Sequence, residues 1–384
     1  MGRFRAALAS DGLAAIAEVK RRSPSAGDLR PDADPAKLAA QFAAAGAAAV
    51  SILVDERFAG AVDDLHAARS ATAIPLLAKG FFRDEEQLRE LRDVGADAVL
   101  LILRDLDDAT AARLQSAAHE LGMDALVEAH DAGELERARR LKATIVGVNA
   151  RDLSTFAIDR RTQLELVAHA PHDAVVVAES AIHTRAQGAA AELAGADAIL
   201  VGSALMRAPD PPAKLAEILS RPLVKVCGLT RQEDVDAAVE AGADMCGFIF
   251  AETPRRAPAV LDVPDEVLSV AVFVGEPQET EADLVQLYED AEGRPRGRDA
   301  VLLREGEPVA RVVDLPWEQA DPLHLHRAAA AEGRVVLAGR LGPDNVRAAI
   351  EAVRPWAVDA ASRLEREPGI KDHDKVRAFV GAAR

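Results

Sequence analysis

A repeat constrains this chain more than any single residue. Eight short apolar runs recur through residues 1–220, each followed by polar residues and then by an Ala-rich stretch of helical period. The first passes through Ile16 and Val19, and the others are Ala49 to Val54, Pro75 to Lys79, Ala98 to Leu103, Asp124 to Glu128, Thr144 to Asn149, Ala174 to Ser180 and Ala198 to Ser203. Spacings of about 20 to 30 residues leave room for a helical crossover between strands, which parallel pairing requires. Eight such units predict a closed (β/α)8 barrel of the TIM type. Gly-Ala-Asp ahead of strands at Gly95, Gly195 and Gly242, with Gly46-Ala-Ala as a weaker copy, marks helix-to-strand loops, because glycine takes the left-handed conformation that caps a helix.

Polar residues punctuate the ends of these runs. In Ile16-Ala-Glu18-Val-Lys20 the two charges alternate onto one face before Ser23-Pro24-Ser25 turns the chain away. Lys79 ends the third run, Glu128 the fifth and Asn149 the sixth, with Arg151 two residues on. Taken singly, each is consistent with a surface ion pair or a solvated loop. Together they fall at strand C-termini, the rim on which barrels build their sites. Lys79 carries most weight, since a lysine emerging from a buried strand has an acidity that burial and neighbours tune. Ser180 after the seventh run, and Gly202 and Ser203 after the eighth, suit a phosphate cradle, which Ser23 joins once the barrel closes. The same small residues also serve as ordinary turn formers.

At 384 residues the chain exceeds one barrel, so two domains are expected, 1–220 and 221–384. Its 63 acidic and 46 basic residues leave a net charge of −17, which argues against a nucleic-acid groove or an anionic membrane as partner. Cys227 and Cys246 are the only cysteines, too few for a disulfide framework. No apolar run approaches the ~18 residues of a membrane span, and Met1-Gly-Arg-Phe-Arg lacks a signal-peptide core. The expectation is a soluble cytoplasmic protein with no metal and no cofactor. Oligomeric state is left open.

Glu18-Val-Lys20-Arg-Arg-Ser23-Pro-Ser, Lys79-Gly-Phe, Glu128, Asn149-Ala-Arg151-Asp-Leu, Glu179-Ser180 and Gly202-Ser203-Ala-Leu resemble, in content and order, the motifs of the indole-3-glycerol phosphate synthase family. In that family a carboxyphenylamino deoxyribulose phosphate closes onto its own ring, losing carbon dioxide and water. The resemblance implies that Lys79 protonates the sugar carbonyl and that Glu128 gives or takes a proton. Lys20 and Glu18 would place charge around the reacting centre, Arg151 and Lys20 would hold the carboxylate, and Asn149 would hydrogen-bond the sugar. Which lysine is the principal acid stays open. This chain departs from the family at Gly80, where an Asp is usual, and at Ala181, where a Gly is usual.

The second half opens on Leu223-Val-Lys-Val-Cys227-Gly-Leu-Thr, an apolar strand ending in a thiol at a turn. By itself a lone cysteine is a small hydrophobe. Lys225-Val-Cys227-Gly-Leu-Thr-Arg, Thr253-Pro-Arg255, Leu337-Ala-Gly-Arg-Leu-Gly-Pro-Asp-Asn and Pro368-Gly-Ile-Lys371-Asp resemble the phosphoribosylanthranilate isomerase family, which catalyses an Amadori rearrangement. The resemblance makes Cys227 the general base and gives Arg255 the anthranilate carboxylate. The pattern is incomplete, so this second barrel is expected to be shortened or irregular. Glu305 to Pro308 is too short for a parallel crossover, which predicts an antiparallel hairpin there. Asp314 ends the second arm and is the candidate acid, although Trp317 also aligns it with a non-catalytic position. Arg340 and Arg363 stand where the family has phosphate glycines. They either clamp phosphate in a bidentate manner or mark a barrel that supports the first without chemistry of its own. The partners implied are small phosphorylated sugar-anthranilate substrates.

Overall fold

The computed structural model describes residues 2–10, 12–24, 27–151, 158–288, 299–315 and 321–384. The chain divides into two compact units, Met1–His183 with Gly188–Leu219, and Thr184–Gln187 with Ser220–Arg384. Ser25, Asp152 and Trp317, which figure in the sequence reading, lie outside the described residues.

In the first unit the eight apolar runs are eight strands: β1 (Ala14–Val19), β2 (Ala49–Leu53), β3 (Leu76–Lys79), β4 (Ala98–Ile102), β5 (Asp124–Ala129), β6 (Ile145–Asn149), β7 (Val175–Glu179) and β8 (Ala198–Val201). Each pairs parallel with the next, and β8 returns to β1 in the register Ala14↔Ala198, so the sheet closes. Five of the intervening helices start on aspartates. Asp34, Asp84, Asp107, Asp131 and Asp159 each accept a first-turn backbone N–H, a cap worth about 1 kcal/mol. Gly95, at φ 105°, closes the helix Glu85–Asp93 in the conformation that an L side chain resists. Alternate strand residues face inward, so Ala14, Ile16, Leu77, Leu100, Leu126 and Val177 form the barrel's own core. The helix Arg3–Leu8 adds fully buried Phe4 and Leu8 to that core. Its Arg5 N–H donates to Asp124 at the start of β5, which fixes it at the N-terminal mouth.

The second unit is also a closed barrel: β9 (Leu223–Cys227), β10 (Met245–Ile249), β11 (Leu268–Val274), β12 (Leu284–Tyr288), β13 (Asp299–Arg304), β14 (Glu307–Val313), β15 (Val335–Leu337) and β16 (Ala357–Ala360). β13 is antiparallel to both neighbours. The hairpin joining β13 to β14 turns on Glu305 and Gly306 alone, both at positive φ, the backbone that matches the twist of a two-residue hairpin. Seven strands therefore end at one rim and β13 ends at the other. No helix of the described residues is long and apolar enough to cross a membrane.

Candidate active sites

Strand alternation builds the first site. With Ile16, Leu77, Leu126 and Val177 facing inward, Glu18, Lys79, Glu128 and Glu179 two residues later must face inward as well, one layer nearer the C-terminal rim. Two glycines leave room for them. A Cβ at Gly147 would collide with Glu179 Oε1, and one at Gly202 with Glu18 Oε1 and Lys20 Nζ. Lys79 stands at the centre: its Nζ donates to Glu179 Oε2 at 2.7 Å and lies 3.4 Å from Glu18 Oε2 and 3.9 Å from Glu128 Oε2. Lys20 Nζ takes the other Glu18 oxygen at 2.6 Å.

Burial works against every charge here, and the outcome is decided by pairing. Desolvation opposes the Lys79 ammonium, but Glu179, Glu18 and Glu128 outweigh it and its pKa is raised. Desolvation also opposes the Glu18 carboxylate, which Lys20 and Lys79 nevertheless hold below its ordinary range. Glu128 and Glu179 influence each other and settle in opposite states. Burial, opposed by Lys79 and aided by the Glu128 charge, pushes Glu179 up to about 8. Glu128 is held down to about 2, against desolvation, by His130 and Lys79. At neutral pH the layer thus holds one shared proton, on Glu179. Glu128 Oε2 and Glu179 Oε1 are buried and have no hydrogen-bond partner among the described residues.

Glu179, His130, Glu134 and Arg104 belong to this site although sequence reasoning assigned them no role. Glu179 ends β7 in the same alternation as Lys79 and Glu128. Glu128-Ala-His130 repeats the two-residue step of Glu18-Val-Lys20, and that was the available signal for His130. Phe81 was also passed over; the Arg57 guanidinium lies 3.6 Å over its ring, and Asp55 grips the same arginine through both oxygens.

The remaining predicted residues sit on the same rim. Asn149 Oδ1 accepts the Arg151 N–H at 3.0 Å. Arg151 has its pKa lowered by burial and by Arg207, with Glu18 opposing, so two guanidinium groups approach each other there. Ser23, Ser180, Gly202 and Ser203 follow β1, β7 and β8, which are neighbours in the sheet. Ser180 and Ala181 have φ of 69° and 57°, two consecutive non-glycine residues in the left-handed region. Such backbone costs about 1 kcal/mol or more per residue. At Gly80 a Cβ would stand 3.0 Å from Phe82 Cζ and 3.3 Å from Val54 Cγ2, so an Asp here requires those side chains to give way slightly.

The second barrel's rim is wired differently. Lys225 Nζ, almost wholly buried, donates to Asp359 Oδ2 and to Gln286 Oε1, each at 2.7 Å. Gln286 Nε2 donates to Tyr288 Oη at 2.9 Å, and Tyr288 Oη donates to Asp314 Oδ2 at 2.8 Å. Asp314 is therefore buried at the rim and joined by hydrogen bonds to Lys225, which also contacts Cys227. Burial pushes the Cys227 thiol up; Lys225 and Lys371 oppose this and Asp359 adds to it. Arg255, expected to meet a substrate carboxylate, is instead gripped by Glu365 through three contacts of 2.8 to 3.1 Å. Arg363 donates to the Arg340 carbonyl at 3.2 Å and to Asp344 at 2.9 Å, while Arg340 takes φ 57° where a glycine would be unstrained.

An eight-stranded parallel barrel with a buried Lys–carboxylate cluster at its C-terminal rim defines a (β/α)8 enzyme of acid–base type. Comparison with known proteins specifies the family. Residues 2–218 match the family described as Indole-3-glycerol phosphate synthase, and residues 319–382 match N-(5'phosphoribosyl)anthranilate (PRA) isomerase. Among curated relatives, the Indole-3-glycerol phosphate synthase of Albidiferax ferrireducens is 46% identical over 218 residues, which is 56% of this chain and 83% of that protein. That of a Nocardioides species is 50% identical over 212 residues, 55% of this chain and 80% of the relative. The solved phosphoribosyl anthranilate isomerase of Thermotoga maritima is 27% identical, with a TM-score of 0.33 over 42% of this chain and 98% of that one. The chain belongs to the indole-3-glycerol phosphate synthase family. It is a fusion of that barrel with a domain of the phosphoribosylanthranilate isomerase family.

Proposed function

We propose that the first barrel closes carboxyphenylamino-deoxyribulose 5-phosphate to indole-3-glycerol phosphate, and that the second forms that substrate by Amadori rearrangement. The boundary is placed between residues 220 and 221, a position supported by the parting of the compact units at Leu219 and Ser220. The single observation that carries the synthase reading is Lys79 held among Glu18, Glu128 and Glu179. Ring closure develops negative charge on the sugar carbonyl oxygen, and a desolvated ammonium is the group that stabilises and then protonates it. Loss of carbon dioxide restores the aromatic ring. Dehydration then expels the hydroxyl with one proton and releases another from the adjacent carbon; Glu128, held anionic, accepts the latter. Phe81 offers an apolar face to the anthranilate ring. Arg151 and Lys20 meet its carboxylate, Asn149 the sugar hydroxyls, and the loops at Ser23, Ser180, Gly202 and Ser203 the phosphate.

In the second barrel Cys227 takes the sugar proton and Asp314 supplies one to the ring oxygen. The hydrogen-bonded path from Asp314 through Tyr288 and Gln286 to Lys225 supports this reading, because it ties the acid to the base's neighbour. Arg340 and Arg363 are assigned to phosphate, and Arg255 to the substrate carboxylate once it exchanges Glu365 for it. The test is an assay of the full chain with each substrate supplied separately. Turnover of both is expected. Failure to turn over the deoxyribulose phosphate overturns the synthase reading, and failure on the ribosylamine alone leaves the second barrel a supporting module.

A further inference from the structure

Behind Glu128, on the side away from Lys79, a second set of charged groups runs outward. His130 Nε2 stands 3.2 Å from Glu128 Oε1, His130 Nδ1 lies 3.0 Å from Glu134 Oε2, and Arg104 Nε donates to Glu134 Oε1 at 3.2 Å. The imidazole is 2% exposed and the Glu134 side chain 10%. Its place is fixed twice, since the His130 backbone N–H also donates to Glu134 Oε2 at 2.9 Å. Asp131 caps the helix Ala132–Arg140 by accepting the Glu134 N–H, which holds Glu134 in the first turn. A histidine wedged between two carboxylates is stabilised as imidazolium.

We infer that His130, oriented by Glu134 and Arg104, is a positioning residue that keeps Glu128 ionised and so places the pair's single proton on Glu179. The inference rests on the reading of Glu128 as the proton acceptor of the synthase reaction. Glu128 is faced by Lys79 from β3, by Glu179 from β7 and by His130 from beyond its own strand; Glu18 on β1 reaches it through Lys79. Lys79 is shared among three carboxylates and makes its 2.7 Å contact with Glu179, leaving Glu128 at 3.9 Å. By itself the nearer Lys79 favours the charge on Glu179, and His130 is the cation that favours it on Glu128 instead. The direction is consistent on both sides: His130 is raised to about 9, against desolvation, by Glu128 and Glu134, and Glu128 is lowered. Arg104, whose Nε donates to Glu134 Oε1, favours the charged form of that carboxylate and so keeps it from taking the proton back.

The test is the pH profile of synthase kcat/KM for the full chain and its His130→Gln and Glu134→Gln variants. Gln keeps hydrogen-bonding capacity and removes the charge. With the cation gone, Glu128 titrates higher, so the acid limb should move up by about one pH unit, with a roughly tenfold loss along that limb and the plateau at neutral pH unchanged. Glu134→Gln should move it the same way by less. A uniform loss with the limb unmoved overturns the inference, since a packing role scales the whole profile. Glu128→Gln separates the two claims: activity retained in that variant refutes the reading of Glu128 itself. Should the His130 variant not fold, the imidazole of the intact protein can be titrated by NMR. It should remain doubly protonated through pH 8, and a neutral ring at pH 7 overturns the assignment.

Discussion

Each barrel builds its own C-terminal rim, and the two rims differ in chemistry. In the first, every strand ends at that rim, and five contribute a charged or amide side chain to a layer held by ion pairs. In the second, β13 runs backwards, and the space it would have supplied is spanned by neutral donors, Gln286 and Tyr288, between Lys225 and Asp314. A parallel barrel gives each strand end to the site; one reversed strand removes a position, and the neighbours' side chains must bridge the gap. The first site is thereby sensitive to charge and pH. The second is sensitive to the loss of individual hydrogen bonds.

The largest effect should separate the barrels outright. Cys227→Ala is expected to lower isomerase turnover by about 10² or more while leaving the synthase rate unchanged, since general-base removal costs about 10² to 10⁴. Coupled loss of both activities would break the comparison. Next comes pH. Glu179 has a folded pKa raised to about 8, so its proton is present below that value and lost as pH rises through it. Synthase kcat should therefore fall above about pH 8, roughly tenfold per unit, and the alkaline limb should vanish in Glu179→Gln, whose amide cannot ionise. An unchanged limb in that variant assigns it elsewhere. The same linkage contributes stability to the folded first barrel at low pH that declines between the ordinary glutamate range and pH 8. The isomerase rate should show no such limb from Glu179.

Tyr288→Phe sharpens the contrast from the other side. It strips partners from buried Asp314 and Gln286, which should cost about 1 to 3 kcal/mol in denaturant unfolding and lower the isomerase rate. A neutral result would mean the hydrogen-bonded path is incidental. The smallest effect concerns Ala181. Replacing it with Gly relieves one left-handed residue at φ 57°, offset in part by the entropy of Gly, for a net gain of about 1 kcal/mol or less. It should also lower KM by removing a methyl beside the phosphate loop.

The parallel barrel was legible because its signals are local. Apolar runs, alternation and Gly caps each fit within a few residues, and alternation alone brings Glu18, Lys79 and Glu128 to one layer. The hairpin was legible too, since a loop as short as Glu305-Gly306 permits no crossover. What escaped depends on pairing across long sequence separations. Arg255 and Glu365 lie 110 residues apart, and no periodicity announces that one will occupy the other. The Lys79 cluster likewise joins Glu179 from 100 residues away. His130 and Glu134 were within reach, four residues apart at a strand-to-helix turn, but a histidine after a strand is more often a loop residue.

The proposed ring closure depends most directly on Lys79. Full-length Lys79→Ala should be assayed for each reaction in parallel under identical conditions. The prediction is a synthase turnover lower by about 10² or more with the isomerase rate intact. Near-normal indole-glycerol phosphate formation by that variant would contradict the claim that the Lys79–carboxylate cluster is the site of ring closure.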